Sequence, residues 1–117
     1  MMQLSGNTYG DWLDSIDKAE QAFNDLQEAY QLLADAENTE ALEESKAITI
    51  ERTQNGTAAT LAGKIAKSHE RYQQAHTARR AAEGYLKAMQ GRANLYANLE
   101  AHLHKEHTQA MNGEVGR

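Results

Sequence analysis

The feature that most constrains this chain is that its 117 residues contain no proline. Proline ends helices because it lacks an amide N–H and clashes with the preceding turn. Nothing of that kind interrupts the stretch from Thr57 to about Thr108, which opens with Asn55-Gly56-Thr57. Apolar residues recur along it at alternating spacings of three and four, through Ile65, Tyr72, Ala75, Ala82, Leu86, Met89, Ala93, Tyr96 and Leu103. That 3.5-residue period describes a helix with one buried seam. Thr57 is placed to cap the first turn, its hydroxyl reaching backbone N–H groups that have no carbonyl partner. Roughly fifty residues at about 1.5 Å each make a rod on the order of 75 Å long.

The remainder reads as shorter helix. After a leader at 1–8, with Asn7 or Thr8 as a cap, Trp12, Ile16, Ala19, Phe23, Leu26, Tyr30 and Leu33 recur at spacings of four and three. Leu13, Ala22, Ala29 and Ala36 widen this seam on its flanks. Asp11, Asp14 and Asp17 load the first turns with negative charge, favourable against the helix dipole. This helix is expected over 9–37. Asn38-Thr39 reads as a stop and restart, followed by a short helix over 40–52, although Ile48-Thr49-Ile50 also suits a strand. Gln54-Asn55-Gly56 supplies a turn, since Asn and Gly tolerate positive φ. Residues 109–117 are expected to fray.

The fold class is therefore all-α: one domain of coiled-coil type, an elongated helical hairpin with a very long C-terminal helix over 57–108. Hydrophobic residues make up 40% of the chain, but much of that is alanine, with one Phe and one Trp. Such a chain builds a thin seam rather than a thick core. A fold-back leaves part of the 57–108 rod uncovered, and wet apolar area costs roughly 25 cal/mol per Å². A homo-oligomer follows, sealed through Ile65, Tyr72, Leu86, Met89, Tyr96 and Leu103.

The net charge of −5 conceals a split between acidic and basic halves. Residues 1–51 carry twelve Asp and Glu against Lys18 and Lys46; residues 52–117 carry ten Lys and Arg against five acids. The basic residues of the second half include Lys64, Lys67, Arg71, Arg79, Arg80, Lys87 and Arg92. They read either as a helix surface complementary to the acidic half or as a stripe for nucleic-acid phosphates. With Ile65 at heptad position a, Arg79 falls on the seam itself, where a charge fixes register at some cost in stability. Gly63, Gly84 and Gly91 share the outermost position f.

Little chemistry is written into the chain. There is no cysteine, hence no disulfide and no Cys-based zinc site. Of the five histidines, only His104 with His107, and His102 with Glu106, have the spacing of a helical metal pair, and no His-Glu-x-x-His occurs. No nucleophile elbow or phosphate loop is present. Neither an enzyme, a cofactor, a metal nor a small-molecule substrate is expected. No run approaches the ~20 apolar residues of a membrane span, and the N-terminus does not look like a signal peptide. A cytoplasmic protein without membrane contact is expected.

Residues 40–107 carry one resemblance. The stretch from Thr57 through Tyr72, with its Thr57-Ala-Ala-Thr-Leu-Ala-Gly-Lys-Ile-Ala-Lys opening and the alanine-rich run to Leu103, resembles small helical phage recombination mediators of the UvsY type. That resemblance implies a ring-forming helical protein that binds single-stranded DNA and helps load a recombinase, in company with it or with a single-strand-binding protein. It makes the basic residues of the long helix the DNA contacts. The acidic first helix departs from that picture. Composition and charge split equally suit a structural coiled-coil protein, such as a phage scaffold or chaperone, without nucleic acid. Tyr96-Ala-Asn-Leu-Glu100 also fits the Tyr-x-x-x-Asp/Glu motif of type VII secretion substrates, whose Trp-x-Gly turn is missing here.

Overall fold

A computed structural model describes residues 8–115 and, among them, three helices and no strand: α1 (Thr8–Thr53), α2 (Ala59–Ala66) and α3 (Glu70–Val115). The all-α expectation and the very long C-terminal helix both hold. Of the expected leader, residues 1–7 lie outside the described residues. The frayed tail expected from 109 is helical through Val115.

The first helix is longer than 9–37. It passes through Asn38-Thr39 without a stop, absorbing the 40–52 segment, and Ile48-Thr49-Ile50 is helical rather than extended. The reason lies in the threonines. Thr39, Thr49 and Thr53 each donate their hydroxyl to the carbonyl one turn back, at 3.0, 2.9 and 2.7 Å, so the β-branched residues are satisfied inside the helix. Neither glycine nor proline interrupts the chain between Asp11 and Asn55.

The turn falls where Asn55-Gly56 places it. The N–H groups of Gln54 and Asn55 both reach the Ile50 carbonyl, and Gly56 adopts a φ of +67°, open to glycine because it has no Cβ to clash. Thr57 does not cap the following helix. Its hydroxyl donates to Glu51 Oε1 at 3.3 Å, and Ala58 is the N-cap of α2 with no side-chain bond. Glu51 is buried, and its carboxylate also accepts from the Asn55 amide and pairs with His69 Nε2 at 3.1 Å. One carboxylate thus clasps the end of α1, the turn and the start of α3.

The expected rod over 57–108 is two helices. The Ser68 and His69 N–H groups bond three residues back, to Ile65 and Ala66, and the Ser68 hydroxyl also takes the Ile65 carbonyl. These three-residue backbone bonds tighten and close the last turn of the helix. α2 is the result, with Ala62 and Ala66 buried beneath it.

The described residues pack as two units. One joins the chain up to Gln27 with the chain from Ala88 onward; the other is Glu28–Lys87. In each, α1 and α3 run antiparallel, and the inward residues follow two interleaved seven-residue series. On α1 these are Trp12, Ala19, Leu26, Leu33, Glu40, Ala47 and Ser15, Ala22, Ala29, Ala36, Glu43. On α3 they are Tyr72, Arg79, Leu86, Ala93, Glu100, His107 and Ala75, Ala82, Met89, Tyr96, Leu103.

The α1 seam is rotated from the expected one. Ala22 and Ala29 are 1% and 0% exposed, whereas Phe23 and Tyr30 are 56% and 47% exposed. Ser15, Ala22, Ala29 and Ala36 form a line of small side chains, and helices approach more closely where the contact residues are small. Ser15 is compatible with burial because its hydroxyl bonds the Trp12 carbonyl at 2.6 Å. No large side chain is completely buried among the described residues.

Two outcomes test this packing. Ala22→Leu overfills the seam and is expected to cost about 1–3 kcal/mol in urea unfolding followed by circular dichroism. Ala34→Leu, on the exposed face, should stay within about 0.5 kcal/mol of the parent. Equal stability of the two variants would refute the small-residue seam.

The Glu51 clasp makes a second prediction. The Asn55 amide bond, opposed by burial and reinforced by His69, holds the Glu51 carboxyl below its ordinary value of 4.5. A depressed acid contributes stability that is complete above the unfolded value and is lost as pH falls through the folded one. The melting temperature should therefore drop as pH is lowered from about 5 toward the folded value, and Glu51→Gln should flatten that drop. An unchanged profile in Glu51→Gln would remove the clasp as an acid-sensitive element.

Candidate functional site

The seven cations expected to form a stripe separate into two groups. Arg79 and Arg92 are tied into the chain itself. Arg79 Nε donates to Glu40 Oε2 at 2.5 Å, and its Nη1 donates to Glu83. His76 Nδ1 lies 3.3 Å from the same Glu40 oxygen. Burial pushes the Glu40 carboxyl up, but the Arg79 guanidinium and His76 more than offset it and leave the group below its ordinary value. The Glu40 hydrogen bond raises Arg79 in turn. Arg92 Nη1 donates to Asp25 Oδ2 at 2.5 Å, and its guanidinium lies 5.8 Å from the Tyr96 ring centroid. Asp25 likewise raises Arg92.

Lys64, Lys67, Arg71, Arg80 and Lys87 are exposed, and their side chains have no ion pair or hydrogen bond among the described residues. They do not share one face. Lys64 and Lys67 belong to α2 and its end. Arg71 and Arg80 are nine residues apart on α3, two and a half turns, and so project from opposite sides. Only Arg80 and Lys87, seven apart, line up. The structure therefore brings together a pair rather than a stripe.

The residues expected to seal an oligomer are mostly committed within the chain. Tyr72, Leu86 and Leu103 are buried in the α1–α3 seam, and Met89 and Tyr96 are half-buried along it. Ile65 alone is free, on the outer side of α2 beside Leu61. A seam that meets α1 of its own chain needs no second copy to cover it.

Two features escaped the sequence reading. The first is an aromatic cluster in the unit that contains Trp12. The indole stacks on His104 and His107 with centroids 4.9 and 5.5 Å away, and Tyr9 meets its edge at 5.9 Å. Trp12 Nε1 donates to Glu100 Oε1 at 3.1 Å. His104 and His107 serve this aromatic stack, His102 Nε2 lies 3.0 Å from Glu106 Oε1, and no group of three metal-ligating side chains occurs among the described residues.

The second is a groove of about 480 Å³ in the same unit. Ile16, Ala19, Phe23 and Ala97 line it with apolar surface, and Glu20 and Glu100 add two carboxylates. The signal for the groove was the seven-residue recurrence of small residues from Ser15 to Ala36, which identifies the buried line of α1. Ile16 and Phe23 lie one position beyond that line, each next to a buried residue, and so flank the seam. Compared with models of known families, with curated proteins and with solved structures, the chain matches none.

Proposed function

We propose that this chain is a non-enzymatic assembly protein that works through protein–protein contacts and associates with copies of itself, in the manner of a scaffold or chaperone. One observation carries the reading: alanine supplies six of the nine buried apolar side chains among the described residues, while many of the large apolar ones are outside. Alanine dominates the buried seam, while Leu13, Phe23, Leu95, Leu99 and Met111 are more than two-fifths exposed, Leu95 at 65%. Large aliphatic and aromatic side chains are ordinarily the most buried of all. Leaving them wet costs roughly 25 cal/mol per Å², a cost that an interface removes.

Light scattering on the purified chain across a wide range of concentration tests it. The expected result is a mass above that of one copy that rises with concentration. A single copy throughout would overturn the reading.

A second reading is favoured by Arg80 and Lys87, two aligned cations with no partner: a recombination or replication accessory that holds single-stranded DNA for a recombinase. Fluorescence anisotropy with a labelled single strand at two salt concentrations discriminates. Phosphate binding weakens steeply with salt, and Arg80→Glu with Lys87→Glu should reduce the log–log slope by about 1.4. Absence of binding at low salt would remove this reading.

A further inference from the structure

The exposed apolar surface contains two pieces that fit each other. The first is the outer face of α2. Leu61 and Ile65 are one turn apart, 51% and 40% exposed, while Ala62 and Ala66 on the other side of the helix are buried. Lys64 stands beside the pair on the same face, and Lys67 follows at the helix end, both exposed and with side chains that have no partner among the described residues. α2 is thus an apolar knob with Lys64 on its flank and Lys67 at its end.

The second piece is the groove lined by Ile16, Ala19, Phe23 and Ala97. Its two carboxylates, Glu20 and Glu100, give it a negative edge, and the exposed Asp17 stands one turn before Glu20. The other apolar cleft, at Ala47, Ile50 and Tyr72, has Glu43 paired with its Lys46 and is also lined by Arg71 and His69, so it offers the lysines of α2 no free carboxylate. Apolar surface and charge together select the first groove.

We propose that α2 of one copy docks into the Ile16–Phe23 groove of a second copy, with Leu61 and Ile65 on the apolar floor and Lys64 toward Glu20 and Glu100. This rests on the assembly reading above and specifies its contact. Because knob and groove are different surfaces, the contact is heterologous: each copy has one of each, and the series either closes into a ring or stays open. A two-residue knob buries less than a standard interface, so each contact is weak and assembly depends on concentration.

The test uses the full chain in two variants, checked for helix content by circular dichroism. Leu61→Asp with Ile65→Asp removes the knob, and Phe23→Asp removes the groove. In sedimentation velocity each variant alone should be a single copy. Mixed, they should form a pair and nothing larger, since one intact knob meets one intact groove. Glu20→Lys, at an exposed position, provides a milder probe: it should weaken association roughly threefold, and adding Lys64→Glu should restore it. If the wild type associates and the variants still reach its mass, or their mixture stays single, the docking is wrong while the assembly reading stands. A wild type that never associates overturns both.

Discussion

The seam of small side chains between α1 and α3 is the constraint from which the other features follow. Ala22 and Ala29 are almost or wholly excluded from solvent, and Ala75 and Ala47 are close behind. Each alanine buries little apolar area, so the stability of such a seam comes from many small contacts repeated along the helices rather than from a central core. Volume that would fill a core in a globular domain is displaced to the flanks. Phe23, Leu95 and Leu99 fall outside the two inward series, and that is why an otherwise solvated helix pair carries apolar surface.

The uneven charge distribution is resolved at a few places only. Arg92 meets Asp25 and Arg79 meets Glu40, each joining the basic helix to the acidic one. Exposed ion pairs contribute little, but these are half-buried beside the seam, where an unpaired guanidinium would be costly. The acids on the outer face of α1 and the lysines of α2 are not consumed in this way. The same sequence asymmetry thus has two uses, internal pairing for the arginines on or beside the seam and external charge for the rest.

Helical class, the Asn55-Gly56 turn and the inward face of α3 could all be read from the residues. Heptad spacing from Tyr72 to Leu103 is regular, and a glycine beside asparagine has one obvious use. What could not be read was competition between equivalent signals. Phe23 and Tyr30 are stronger hydrophobic signals than Ala22 and Ala29 and occupy adjacent positions, so a reading by hydropathy rotates α1 by one residue. The choice depends on how closely α3 approaches, which is a property of the pair and not of either helix. Asn38-Thr39 looks like a stop until the Thr39 hydroxyl is seen on the Asp35 carbonyl. The break falls instead at Ser68 and His69, whose backbone N–H groups turn back to the Ile65 and Ala66 carbonyls.

A repeating alanine seam has a weakness that its charges correct. Slipping α3 by seven residues along α1 sets its side chains against the next of Ala22, Ala29 and Ala36, so the small residues of α1 alone do not choose a register. The polar contacts do. In the correct register Arg79 finds Glu40; one heptad either way it would face Leu33 or Ala47, at the equivalent seam position. Arg92 finds Asp25, where a slip would offer Lys18 or Leu32. Trp12 places its N–H on Glu100 and its ring on two histidines, a combination not repeated elsewhere along α3. Arg79 on the seam is therefore not a defect tolerated by the packing. It breaks the seven-residue degeneracy that the alanines create.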